Sequence, residues 1–185
     1  MAINKLEKRL IIFEKTLELI SENGFHGTPV SKIADAANLS VGTIYRYFKN
    51  KDELIRELYN HIKQKKYQAL MTNDTQEKPI RERFFNFWFN LTNYYLSNPK
   101  EFLFIEQYIY SPYSQNNDEK NIQLEKFFQY AQQQQVLKLI PIDVMISFIQ
   151  GSISSLVKRH VSGIAHADSN AKQCAVNCCW DAIKL

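Results

Sequence analysis

Residues 39–54 read LSVGTIYRYFKNKDEL. Two tyrosines, an arginine and two lysines surround a helical turn whose strong core residues are Ile44 and Phe48. Their i, i+4 spacing turns both toward a core and fans Gly42, Thr43, Tyr45 and Arg46 across the opposite side, with Tyr47 at the margin. The chemistry this side offers is that of a duplex edge. Arginine matches the paired acceptors of guanine, threonine reaches a base or a thymine methyl group, and the major groove admits an α-helix. Gly42 lets a backbone approach closely, and Val41 flanks it at the helix start. Tyrosine hydroxyls and lysines bind phosphate, which positions a duplex without reading it. Tyr45, Tyr47 and Lys51 fit that task. Thr28 and Ser31 fall at the start of the preceding helix, where free amide groups favour phosphate. Singly, each of these residues reads as solvated surface; together, on one side of an anchored helix, they read as a surface that touches a partner.

Several elements must hold this surface. NKLEKRLIIFEKTLELISENGF places Leu6, Leu10, Phe13, Leu17 and Ile20 on one helical stripe, and Gly24 ends it as a C-terminal cap. Thr28 reads as the next N-cap and Pro29 as the first helical residue. Val30, Ile33, Ala34 and Ala37 form a short apolar face, and Asn38 stops that helix. Ser40 caps the helix of Ile44 and Phe48. Asn50 with Glu53 is a capping box opening a longer helix, with Leu54, Leu58 and Ile62 inward and an end near Met71. Ala34 and Ala37 supply the small residues that two short helices need where they cross.

GFHGTPVSKIADAANLSVGTIYRYFKNKDEL resembles the DNA-binding domain of TetR-family transcriptional regulators, over about residues 8–60. The resemblance rests on Gly24-Phe25, Thr28, the Ile33-Ala34 pair, Gly42, the Ile-Tyr-x-Tyr-Phe stretch and Lys49-Asn50-Lys51. It implies an all-α protein: an N-terminal three-helix helix-turn-helix DNA-binding domain, then a larger helical ligand-binding and dimerisation domain. It also implies phosphate or base contact at Thr28, Gly42, Thr43, Tyr45, Tyr47 and Lys51. Val41 and Arg46 occupy positions that vary among relatives.

The bulk properties agree. Only five glycines and five prolines occur in 185 residues, so long helices are expected rather than a turn-rich sandwich. No stretch approaches eighteen uncharged apolar residues, so no membrane span is expected. MAINKLEKRLIIFEK carries charges through its apolar positions and lacks the pattern of a secretory signal, which points to the cytoplasm. Residues 1–66 hold twelve Lys/Arg against eight Asp/Glu, and residues 67–185 eleven against eleven. The whole excess of positive charge therefore lies in the first third, a footprint for a polyanion partner. Cys174, Cys178 and Cys179 form no disulfide framework and lack further ligands at metal spacing; buried apolar thiols are expected, with no metal or cofactor.

TNDTQEKP (72–79) divides the chain into a helix-turn-helix domain at 1–50, a connecting helix at about 51–71, and a helical ligand-binding and dimerisation domain at 72–185. Helices are expected at 80–96, from Asn98 to about Tyr110, at about 122–136, from Pro141 to about His160, and from about Asp168. Ser111-Pro112 and the polar SQNNDEKN form a loop. Residues 84–110 are so rich in aromatics that a ligand pocket is expected, with Trp88, Tyr95, Phe104, Glu106, Tyr108, Phe127 and Gln150 as its candidates. Glu106, if buried, would favour a cationic or hydrogen-bond-donating ligand. The last two helices, about 141–185, carry small and apolar residues, and Gly151 and Ser152 permit close approach. The resemblance implies that they pair with a second subunit, so that a homodimer meets double-stranded DNA at a pseudo-palindromic site and answers to a small-molecule effector. The competing reading is a helical small-molecule-binding or catalytic protein whose first domain is only structural. No HExxH, Walker loop, GxGxxG or GxSxG is present to support catalysis, and an enzyme is not expected.

Overall fold

The computed structural model describes residues 5–114 and 122–185. Residues 115–121 of the expected SQNNDEKN loop lie outside the described residues, as do Met1 to Asn4. Among the described residues there are nine α-helices: α1 (Lys5–Asn23), α2 (Val30–Ala36), α3 (Val41–Tyr47), α4 (Lys51–Leu70), α5 (Ile80–Ser97), α6 (Pro99–Ile109), α7 (Ile122–Gln133), α8 (Ile142–Val161) and α9 (Ser169–Ile183). The fold is all-α. Its compact units do not follow the linear division expected at residue 72. The first contains α1 to α3, α4 up to Lys65, and α6; the second contains the end of α4 with α5, α7, α8 and α9.

In the first unit, α1 packs against α2 and α6, and α2 against α3. Gly24 closes α1 in the left-handed conformation (φ 69°), where its amide donates to Ile20 O at 2.9 Å. A residue without a Cβ takes this conformation at little steric cost. The buried face of α1 is Ile12, Phe13, Thr16 and Ile20. This corrects the predicted stripe, since Leu6 and Leu10 are 65% and 43% exposed. Their spacing continues the stripe in sequence, but among the described residues both side chains stay largely open to solvent. Thr16 is the one polar member of the face, and its hydroxyl donates to Ile12 O at 2.7 Å. Ile33, Ala34, Ile44, Phe48, Leu54, Ile55, Leu58, Tyr59 and Ile62 complete the core around the short helices.

In the second unit, α5 packs against α8 and α9, and α8 also meets α7. Phe84, Trp88, Phe128, Met145, Ile153, Val157, Val176 and Trp180 fill the space between them. Asp168 caps α9 by accepting from Ala171 N at 2.8 Å, as a good N-cap does. Helix α7 stops three residues short of the expected Val136, because Gln135 turns into the left-handed region (φ 55°). The chain then pairs with the C-terminal end: Lys138 N donates to Ile183 O and Leu185 N to Val136 O. The turn after α4 is tied to α5 by a bidentate ion pair between Asp74 and Arg83, at 2.8 and 2.9 Å.

Candidate nucleic-acid interface

The surface begins with a turn that only a few backbone conformations permit. Asn38 lies in the left-handed region (φ 52°), and Leu39 N donates to Ala34 O at 2.9 Å. Asparagine tolerates this region better than most side chains. The chain is then in place for Ser40 to cap α3: its hydroxyl accepts from Thr43 N at 3.1 Å and bonds the Thr43 hydroxyl at 2.9 Å. Ile44 and Phe48 are both 1% exposed. Phe48 meets Phe13 with ring centroids 5.6 Å apart, and the Arg9 guanidinium lies over both rings at 5.3 and 5.4 Å. Arg9 is held in turn by an ion pair with Glu57. Burying side chains of this size contributes about 1.5–3 kcal/mol each, which fixes the rotation of a helix only two turns long.

With that rotation fixed, the other side faces out. Val41, Gly42, Tyr45 and Arg46 are exposed, and Thr43 and Tyr47 are half-buried. No hydrogen bond or ion pair within the described residues occupies the Tyr45 hydroxyl, the Arg46 guanidinium or the Tyr47 hydroxyl. At Gly42 a Cβ would meet only the Ser40 hydroxyl, at 3.8 Å. The fold has room for a side chain there, so the glycine answers no need of the protein's own packing.

Three sequence-predicted residues sit differently. Pro29, not Thr28, takes the cap position of α2, and that cap makes no side-chain hydrogen bond. Thr28 is fully buried and its hydroxyl donates to Gly24 O at 2.8 Å. It closes the α1–α2 turn and has no free hydroxyl to offer outward. Lys51 is half-buried, and its ammonium donates to Phe25 O. Burial holds its pKa below the ordinary lysine value, with Asp52 opposing. Ser31, by contrast, is exposed as expected.

Two residues escaped the sequence reading. The ammonium of exposed Lys49 has no partner among the described residues, while its backbone amide donates to Glu53. It stands beside α3 as the free cation that Lys51 is not. Gly27 is sterically required, since a Cβ there would lie 2.4 Å from Asn23 O. The doubled glycine of GFHG was the available signal.

Comparison with known proteins decides what this surface belongs to. Residues 12–58 match the family model described as bacterial regulatory proteins, tetR family, and residues 79–184 that of the tetracyclin repressor-like C-terminal domain. The chain belongs to the TetR family of transcriptional regulators. An HTH-type transcriptional regulator of Haemophilus influenzae is 31% identical over 137 residues, covering 72% of this chain and 73% of that protein. The crystal structure of a TetR-family regulator from Marinobacter aquaeolei superposes with a TM-score of 0.89 at 25% identity, covering 96% of this chain and 95% of that one. A fatty acid metabolism regulator of Bacillus subtilis is 40% identical over 74 residues, 40% of this chain and 38% of that protein. Like other TetR-family members, the chain is a DNA-binding transcriptional regulator. No helix of the described residues is long and apolar enough to cross a membrane.

The predicted ligand residues are divided between the two compact units. Phe104 and Tyr108 are core residues of the first unit: Phe104 meets Phe25 at 5.7 Å, and Tyr108 stacks on Tyr59 at 4.0 Å. Glu106 is half-buried on the same helix. Trp88 and Tyr95 are core residues of the second unit, and Gln150 is half-buried on α8. The Trp88 indole lies beside the Cys179 thiol, whose pKa burial raises, but makes no hydrogen bond of normal geometry with it. Of the predicted set, only Phe127 lines the cavity of about 630 Å³ in the second unit. The aromatic density of residues 84–110 reflects two helices burying one face each in different cores. The cysteine expectation also needs correction: Cys179 is buried, but Cys174 and Cys178 are exposed.

Proposed function

We propose that this regulator is a ligand-responsive homodimeric repressor that reads a pseudo-palindromic operator through α3 and works in the cytoplasm. One observation carries the DNA-contact assignment: no hydrogen bond or ion pair among the described residues occupies the polar groups of Tyr45, Arg46 and Tyr47, on a helix rotated into place by Ile44 and Phe48. Arg46 and Thr43 read base edges, Gly42 lets the groove wall approach, and Tyr45, Tyr47 and Ser31 bind phosphates. Val41, exposed at the start of α3, offers an apolar contact to a thymine methyl group. Thr28 and Lys51 act from behind, by holding the turn and the start of α4.

An unpartnered face on each of the last two helices supports the homodimer. On α8, Val144, Phe148, Gly151 and Ser155 follow i, i+4, i+7, i+11 spacing and are all exposed, with open space over Gly151. On α9, Asn170, Cys174 and Cys178 form a comparable exposed row. A two-fold dimer built there presents two recognition helices to two half-sites. The effector binds the second unit and shifts the population toward a head spacing that no longer fits the operator, by its differential affinity for the two states. Helix α4 is the lever, as one continuous helix that contributes to both units.

Binding of the purified protein to the DNA upstream of its own gene, measured by fluorescence anisotropy, tests this reading. Arg46→Ala is expected to cost about 1–3 kcal/mol on the preferred sequence and to relax discrimination against a scrambled one. Equal affinity of the wild type for both duplexes would sink the assignment.

A further inference from the structure

The cavity of about 630 Å³ in the second unit has a size suited to a small organic ligand. Its walls come from the turn after α4, from α5 and from α7. Arg83 is 9% exposed and forms one wall. Its Nε and Nη2 donate to the two Asp74 oxygens at 2.8 and 2.9 Å, and its guanidinium lies over the Phe127 ring at 4.9 Å. That clamp fixes the guanidinium plane but uses only one edge of the fork. Nη1 has no hydrogen-bond partner among the described residues. This edge is open to solvent rather than sealed in the core, so an accepting group on a ligand can reach it and form a charge-assisted hydrogen bond. Lys126, on α7, is exposed at the same cavity and has no ion-pair partner among the described residues.

The charge count selects the ligand. Asp74 is the one carboxylate among the described lining residues, and Arg83 bonds both of its oxygens. Among the described lining residues no acid is left to hold a cation. Among the described lining residues, Arg83, Lys126 and Asp74 together leave a single net positive charge, which a monoanion neutralises; a dianion would meet the Asp74 charge uncompensated. The remaining wall is aromatic. Phe87 and Phe127 meet edge to face at 4.9 Å, and Tyr130 on α7 is 47% exposed. We infer that this cavity binds an organic carboxylate, its carboxylate between Arg83 Nη1 and Lys126 and its apolar body on Phe87, Phe127 and Tyr130. The inference deepens the ligand-responsive reading and rests on it only for what binding does to DNA affinity. It replaces the cationic ligand that Glu106 suggested, since Glu106 is not part of this cavity.

Calorimetric titration of the full chain with benzoate and octanoate, each beside its neutral amide, tests the site. At least one acid is expected to bind saturably, and at least tenfold more tightly than its amide. Lys126→Gln, at an exposed position, is expected to leave the unliganded melting temperature unchanged and to lower affinity for the acid at least tenfold but not for the amide. Tyr130→Ala should weaken acid and amide alike. Absence of saturable binding by either acid, equal affinity for acid and amide, or an unchanged acid affinity in Lys126→Gln would overturn the site. DNA affinity measured on the same preparation keeps the two readings apart. Operator binding with no carboxylate binding removes this site and leaves the regulator. Carboxylate binding that leaves DNA affinity unmoved confirms the site and removes only its role as effector.

Discussion

The ammonium of Lys51 donates to the backbone carbonyl of Phe25, across 26 residues of sequence. A lysine in the position of a phosphate ligand therefore ties the end of the α1 turn to the start of α4. Lys51→Ala is expected to lower the stability of the protein by about 1 kcal/mol, the net worth of a half-exposed hydrogen bond. It should leave the salt dependence of DNA binding nearly intact. Lys49→Ala should do the reverse, with an unchanged melting temperature and a log–log salt slope shallower by about one. Denaturant melts and anisotropy titrations at several salt concentrations separate the two. A flatter slope for Lys51→Ala alone would return the phosphate contact to Lys51.

Glycine has opposite reasons at positions 27 and 42. Gly27→Ala places a Cβ 2.4 Å from Asn23 O, a backbone atom that can move only with the α1 terminus. Overpacking of this kind costs about 1–3 kcal/mol, and thermal melts should show it. Gly42→Ala meets nothing closer than 3.8 Å and adds helix propensity. It should keep or raise the melting temperature while weakening operator binding. A Gly42→Ala protein with undiminished DNA affinity would show that no groove wall comes close there.

Ile44 and Tyr45 are adjacent in sequence and opposite in role. Ile44→Ala is expected to destabilise the protein by about 2–5 kcal/mol, as core truncations do, and to lose DNA binding with the loss of fold. Tyr45→Phe, on a side chain 50% exposed, should leave the melting temperature alone and weaken all duplexes alike. Loss of sequence discrimination in Tyr45→Phe would make it a base-reading residue instead.

His61 gives the first unit a pH dependence. Its ring lies 5.4 Å from Phe13, and its pKa is held below the ordinary histidine value, first by burial, then by Lys65, and also by Arg9, with Glu101 opposing. The unfolded chain then binds the proton more readily than the fold does. Stability contributed at neutral pH is lost as pH falls through the unfolded value near 6.5 toward the depressed folded one. Melting temperatures between pH 7.5 and 5 should fall for the wild type and fall less for His61→Gln. Equal slopes would remove His61 from the account.

Much of the DNA-binding head was legible in the chain because its rules are local. A left-handed glycine after α1, a serine one residue before α3, an asparagine and a glutamate three apart, and apolar residues at i, i+4 each act within one or two turns. The structure bears out Gly24, Ser40, Ile44 and Phe48 in those parts; of the capping box, Asn50 accepts from Glu53 N as expected, while the Glu53 carboxylate accepts from Lys49 N rather than from Asn50 N. All-α architecture was readable for the same reason, from long periodic stretches with few breakers.

What periodicity leaves open is which body a helix packs into. The spacing of Phe104 and Tyr108 shows that α6 buries a face, but not that Phe25 and Tyr59 cover it. Nor does it show that Lys51 reaches a carbonyl 26 residues away, or that an arginine and an aspartate nine residues apart close on each other and leave one guanidinium edge free. Helical phase depends on neighbours along the chain, so the sequence determined the elements, their caps and the outward row on α3. Partners of ammonium, guanidinium and ring groups depend on distances between segments remote in sequence. Only the tertiary structure decided those, and with them the place and charge of the cavity.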